Sequence, residues 1–162
     1  MLVAVIADTH MPRGGRRLPE SCVERLRAAD LILHAGDIVA ADVLAELEAL
    51  GAPVRAVHGN MDEAALHDRL PGSLVAEVGG LRIGMTHDAG ARVGREERLM
   101  RRFPGCAAVV YGHTHQPQRE RVGDVWILNP GSPTERRRGP SHTMLVLEVA
   151  AGRIEPELIE LS

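Results

Sequence analysis

The sequence predicts an α/β fold in which two mixed β-sheets pack face to face with helices outside them. Three observations lead there. The first 57 residues alternate apolar runs with amphipathic stretches, as a βαβαβ unit does, and from residue 74 the pattern changes to hairpin pairs. No linker, repeat or low-complexity tract interrupts the 162 residues, so positions 1–162 read as one domain.

Residues 2–7 form a continuous apolar run, as expected of a parallel strand buried on both faces. After Pro19, the residues Cys22, Val23 and Leu26 recur at helical spacing and predict a helix over 18–29. A strand at 31–34, a helix over 41–50 closed by Gly51 and a strand at 53–57 complete the opening unit. Residues 74–78 and 81–85 flank Gly79-Gly80, a two-residue hairpin turn. A short basic helix at 96–103 and a buried strand at 107–111 follow. A hairpin of 119–122 with 125–128 across Gly123-Asp124 comes next, and two last strands lie near 143–149 and 153–159. The stretch 130–140 is irregular, and its Glu135-Arg136-Arg137-Arg138 run reads as a solvated loop with a secondary claim on substrate phosphate.

Composition removes several classes. Only Phe103, Tyr111 and Trp126 are aromatic, so stacking platforms for single strands are lacking, and the net charge of -3 gives no general pull on polyanions. A nucleic-acid polymer is not the expected partner. All 19 basic residues are Arg, which removes Schiff-base chemistry and the lysine of a phosphate-binding P-loop. Cys22 and Cys106 lie far apart in apolar runs and read as buried thiols. The run 2–7 is stopped by Asp8 and has no basic flank, so it is too short for a signal peptide or a membrane span, and a cytoplasmic location is expected.

Five times a strand ends in a cluster of metal-capable side chains: Asp8-Thr9-His10, Gly36-Asp37, Gly59-Asn60-Met61-Asp62, Thr86-His87-Asp88 and Gly112-His113-Thr114-His115. Ligands of α/β sheets collect beyond the carboxyl ends of strands, so these endings can converge although a hundred residues separate them. Asp8 with His10, and His113 with His115, are two apart in extended chain and leave it on one side. Imidazole, carboxylate and amide donors suit Mn, Fe, Co, Ni or Zn better than Ca, and seven donors exceed the need of one ion. A pair of ions sharing a carboxylate would use them all and leave room for water and substrate.

This set resembles the calcineurin-like metallophosphoesterase superfamily, in particular its small bacterial and archaeal phosphodiesterase branch, over nearly the whole chain. The residues that carry the likeness are DTH (Asp8, His10), GD (Asp37), GN (Asn60), TH (His87), GHTH (His113, His115) and NPGS from Asn129 to Ser132. The resemblance implies an αββα sandwich. It implies one ion on Asp8, His10, Asp37 and His115, and another on Asp37, Asn60, His87 and His113, with Asp37 shared. Asp37, Asn60 and His113 are then expected to be the catalytic members, and the expected ions are two divalent cations, Mn first, with Ni, Fe, Co or Zn as alternatives.

The implied reaction is attack of a dimetal-activated hydroxide on phosphorus, which makes the chain a metal-dependent phosphoesterase and a phosphodiesterase for small phosphate esters. Two departures bear on it. Met61 stands where many larger relatives have a histidine able to protonate the leaving group, and Asp88-Ala89 follow His87 where relatives often have Gly-His. His34 and His58 read as structural hydrogen-bonding residues, Asp62 as a cap of the helix that follows or, second, as a residue that orders the Asn60 loop, and Arg13, Arg16 and Arg17 as a flexible solvated loop. The alternatives are a non-catalytic protein-binding scaffold of the same fold and a phosphomonoesterase or protein phosphatase. Exposed sheet edges allow a homodimer.

Overall fold

The computed structural model describes residues 1–137 and 139–162, so the part of the arginine run at Arg138 lies outside the described residues. The chain runs β1 (Leu2–Ile6), α1 (Glu20–Ala28), β2 (Leu31–His34), α2 (Ala41–Glu48), β3 (Val54–Ala56), α3 (Ala64–Arg69), β4 (Ser73–Val78), β5 (Leu81–Thr86), α4 (Arg95–Arg102), β6 (Ala108–Val110), β7 (Gln118–Val122), β8 (Val125–Asn129), β9 (His142–Ala150) and β10 (Arg153–Leu161). One five-stranded sheet has the order β10-β9-β1-β2-β3, the other β4-β5-β6-β8-β7. In the first, β1, β2 and β3 are parallel; in the second, β5, β6 and β8 are.

Strand periodicity explains the layers. Along β1, Val3 and Val5 point into the space between the sheets and meet Leu33, Ile83, Met85, Val110 and Leu128. The alternate residues Ala4 and Ile6 face Cys22 and Leu26 of α1 and Leu47 of α2. On the far side of the second sheet, Leu99 of α4 and Phe103 cover Val109, Tyr111 and Ile127. The order from outside to outside is therefore helix, sheet, sheet, helix. Each fully buried Leu, Ile or Val contributes about 1.5–3 kcal/mol by leaving water, so the inter-sheet layer is the main source of cohesion.

Differences from the sequence reading have local causes. α1 starts at Glu20 because Pro19 sits at φ -57 and ψ 147, and the residue before a proline avoids helical angles. α3 is the helix expected after Asp62, but with six residues and Leu66 as its one buried side chain it is too short for a period to fix its bounds. β9 and β10 extend over nine residues each, and β10 tolerates Pro156 because it is an edge strand. The Gly79-Gly80 turn has positive φ at both positions, 55° and 80°, as a tight hairpin between β4 and β5 requires.

Candidate metal centre

The carboxyl ends of β1, β2, β3, β5 and β6 meet at one edge of the sandwich, where the two sheets face each other. The seven residues singled out in the sequence come together there in two groups. Ligand atoms of Asp8, His10 and His115 lie within 4.8 Å of one another, as do those of Asp37, His87 and His113. Asp37 touches both groups, with Oδ2 3.5 Å from His10 Nε2 and 3.3 Å from His87 Nε2. Asn60 Oδ1 lies 3.1 Å from His87 Nε2. Asp8, His10, Asp37, His87 and His115 are buried, whereas His113 is half-buried and Asn60 is exposed, so the centre opens on the side of these last two.

The backbone bends sharply to aim these groups. Asp8, His10, Asp37, His113 and His115 all have left-handed φ, between 46° and 71°. Such angles cost non-glycine residues of order 1 kcal/mol each, and they persist only where the surroundings over-determine them. Asp8 N–H donates to the Gly36 carbonyl at 2.9 Å and His10 N–H to the Asp37 carbonyl at 3.0 Å, which stitches the first ligand loop to the second. His113 N–H donates to Asp8 Oδ2 at 2.9 Å. Ser132 Oγ donates to the Asp8 carbonyl at 2.8 Å and Thr134 Oγ1 to the Thr9 carbonyl at 2.6 Å. Asn129 Nδ2 donates to the Gly112 carbonyl at 3.2 Å. The Asn129–Ser132 segment thus ties the loop of His113 to the loop of Asp8.

The donor set fits divalent cations. His87 Nδ1–H donates to the Ala35 carbonyl and His115 Nδ1–H to the Glu135 carbonyl, each at 2.8 Å. Both bonds fix the tautomer that turns the Nε2 lone pair inward. Asp8 Oδ1 is buried without a hydrogen-bond partner, although His115 Nε2 is 3.4 Å away and His10 Nε2 3.8 Å. A buried, orphaned carboxylate oxygen facing inward imidazoles is costly in an unliganded protein and apt for a cation. Burial pushes the Asp8 carboxyl upward, but the imidazoles of His10, His115 and His87 outweigh it and hold it far below the usual carboxylate range. Asp37 is likewise raised by burial and lowered, on balance, by His87 and the Met61 N–H. Burial alone would lower His87, yet Asp37 and Asp8 raise it to about 9, so in the metal-free protein its Nε2 holds a proton that a cation must displace.

Several residues take roles that the sequence did not settle. His34 is completely buried between two ligand loops: its Nδ1 accepts from Gly36 N–H at 3.2 Å and its Nε2–H faces Thr9 Oγ1 at 3.1 Å. Asp62 does not cap α3. It accepts from Val39 N–H at 2.6 Å and Gly59 N–H at 2.7 Å, joining the Asp37 loop to the Asn60 loop, while α3 has no side-chain cap. Asp88 is exposed and accepts from Gly90 N–H within its own turn. Glu135 and Arg16, read as solvated loop residues, meet at the rim of the first group, where Glu135 Oε2 is 3.9 Å from His10 Nε2. No motif surrounds Glu135; only the fold brings it there.

The metal-free protein should be most stable near pH 6.5. Burial lowers His34 to about 3, so below pH 6.5 the unfolded chain binds a proton that the folded form refuses, and stability falls as pH drops. His87, raised to about 9, acts in the opposite sense: its contribution is intact below pH 6.5 and is lost as pH rises through 9. The acid limb is worth at most about 5 kcal/mol and the alkaline limb about 3 kcal/mol. Urea unfolding with chelator between pH 4.5 and 9 measures both. His34→Gln should flatten the acid limb, and an unchanged slope would remove His34 as its source.

A family model described as the calcineurin-like phosphoesterase superfamily domain matches residues 1–152. A probable metallophosphoesterase of Methanothermobacter thermautotrophicus is 38% identical over 162 residues, covering 98% of this chain and 92% of that protein. A phosphodiesterase of Methanocaldococcus jannaschii is 26% identical over 147 residues, 81% of this chain and 83% of its own. Among solved structures, a Vps29 of Entamoeba histolytica complexed with zinc superposes with a TM-score of 0.78 at 25% identity, with 99% of each chain covered. Among the described residues, no helix is long and apolar enough to cross a membrane.

Proposed function

The chain belongs to the calcineurin-like phosphoesterase superfamily, and from that premise we propose that it is a phosphodiesterase of small phosphate esters, with residues 1–162 acting as one catalytic domain. The observation that carries this reading is the pair of adjoining donor groups joined by Asp37. Asp8, His10, Asp37 and His115 would hold one divalent cation, and Asp37, Asn60, His87 and His113 a second. When bound, the cations supply Lewis-acid polarisation of water and of the phosphoryl oxygens. Manganese is our first choice for both. We also assign the protein to the cytoplasm, and its exposed sheet edges to a homodimer.

The protein's own part is positioning. The carbonyls of Ala35 and Glu135 keep the imidazoles of His87 and His115 turned inward, and Met61 N–H holds Asp37 Oδ1 at 2.8 Å, leaving Oδ2 to face both groups. Asn60 and His113, on the open side, are the residues a phosphoryl group would meet on entry, and we assign them, together with the buried Asp37, the catalytic roles. A cleft of about 310 Å³ leads away from Asn60 and His87 between His58, His67, Asp88 and Arg102, and it is large enough for a small leaving group. Met61 has no side-chain proton to transfer, and the cleft's own imidazoles outside the ligand set are those of His58 and His67.

Hydrolysis of bis-p-nitrophenyl phosphate by metal-stripped protein, with and without added Mn, tests the reading. Mn-dependent turnover that exceeds turnover of p-nitrophenyl phosphate and of a phosphopeptide is expected. Turnover of no ester with Mn would favour the protein-binding scaffold, and faster turnover of the monoester or phosphopeptide would make the chain a phosphomonoesterase or protein phosphatase.

A further inference from the structure

The Arg16–Glu135 pair stands beside the first donor group and has no part in the ligand sets. Arg16 Nη2 is 3.2 Å from Glu135 Oε1, and Arg16 Nη1 donates to the Arg13 carbonyl at 2.9 Å. The other carboxylate oxygen, Oε2, lies 3.9 Å from both His10 Nε2 and His115 Nδ1. Glu135 is not one of the side chains whose ligand atoms fall within 4.8 Å of one another, so it borders the group without joining it. Its place is fixed by the main chain, since Glu135 N–H donates to Ser132 Oγ and its carbonyl accepts from His115 Nδ1, each at 2.8 Å. Both side chains are about one-quarter exposed, with values of 28% for Arg16 and 26% for Glu135. Each charge is thus partly shielded from water.

We infer that this ion pair is a charge filter that favours monoanionic phosphodiesters over dianionic phosphomonoesters; the inference rests on the phosphodiesterase reading above. The pair is neutral as a whole but oriented. Its carboxylate oxygen Oε2 faces His10 and His115, and its guanidinium is on the side of Oε1. An anion held at the donor groups that Asp37 joins therefore feels the negative end of the pair more strongly than the positive end. The repulsion scales with the charge of the anion, so a dianion is penalised about twice as much as a monoanion. At such a partly exposed rim, one unit charge a few ångströms away changes binding by about three- to tenfold. Removing Glu135's charge frees Arg16 and reverses the sign of the filter; removing Arg16 leaves the carboxylate uncompensated and strengthens it.

The test uses the full chain loaded with Mn, as wild type, Glu135→Gln and Arg16→Gln. Bis-p-nitrophenyl phosphate and p-nitrophenyl phosphate share a leaving group, so the ratio of their kcat/KM values reports charge selection. In Glu135→Gln the monoester-to-diester ratio should rise about three- to tenfold, and calorimetry should find inorganic phosphate bound tighter by a similar factor, with dimethyl phosphate changed less. In Arg16→Gln the ratio should fall. An unchanged ratio and unchanged phosphate affinity in Glu135→Gln would overturn the filter, as would a change that follows loss of Mn, because Glu135 would then be a ligand. Wild-type protein that hydrolyses neither ester sinks the phosphodiesterase reading instead, and the phosphate-binding comparison still decides the filter.

Discussion

Replacing Asp37 with asparagine should lower Mn-dependent diester hydrolysis by about three orders of magnitude or more. The substitution keeps the size of the side chain and an oxygen to accept from Met61 N–H at 2.8 Å, so the loop has no steric reason to move. What it removes is the negative charge lying 3.5 Å from His10 Nε2 and 3.3 Å from His87 Nε2. A neutral amide oxygen is a poor shared ligand, so metal content should fall from two ions per chain to one or none. His87 also loses the main partner that raises it to about 9, so it should titrate nearer its ordinary value in the variant. Thermal unfolding gives a second readout. Saturating Mn stabilises the wild type by mass action, by about 4 kcal/mol at a thousandfold excess over Kd, and most of that shift should vanish in the variant. A variant that kept two ions per chain and the wild-type rate would show that Asp37 is not the shared carboxylate.

The alternation of apolar runs and ligand clusters made much of this architecture legible. Residues 2–7 read as a buried strand because both faces of β1 are covered, Val3 and Val5 by the second sheet and Ala4 and Ile6 by α1 and α2. The candidate ligands stood out because each follows directly on a strand, where a run of apolar residues makes polar ones conspicuous. The parts that were not legible depend on long-range contact. His34 closes one strand and Thr9 follows another, and nothing in either segment says that the two side chains meet at 3.1 Å. Asp62 sits before a helix, which is where a cap belongs, but backbone donors at Val39 and Gly59 take both of its oxygens. Glu135 belongs to an arginine-rich loop whose local chemistry suggests solvent, and only the return of β9 to pair with β1 carries that loop back over His10 and His115. The bounds of α3 were not legible for a different reason: six residues are fewer than two helical turns, so no period can be read from them.

Gly59→Ala should be the most damaging single-methyl addition at the centre. Gly59 needs no left-handed angle; its requirement is space. A Cβ there would stand 2.2 Å from Asp37 Oδ1 and 2.5 Å from the Asp37 backbone nitrogen, closer than real Cβ atoms come. The neighbour cannot swing aside, because Asp37 Oδ1 is held by Met61 N–H and the Asp37 main-chain carbonyl by His10 N–H. The chain at residue 59 cannot retreat freely either, since its own N–H donates to buried Asp62 at 2.7 Å. One of these hydrogen bonds must break, or the Asp37 loop must move. Overpacking of this kind costs about 2–4 kcal/mol, which in a chain of this size lowers Tm by about 5–15 °C. The displacement falls on the Asp37 carboxylate, which faces His10 and His87, so metal-dependent activity should be lost even well below the new Tm. Gly72→Ala provides the control on the same cleft: its Cβ would meet His58 Nε2 at 3.5 Å, an ordinary contact, and stability should stay within about 0.5 kcal/mol. If Gly59→Ala kept both the wild-type Tm and two bound Mn ions, close packing at residue 59 could not be what fixes Asp37 between the two donor groups.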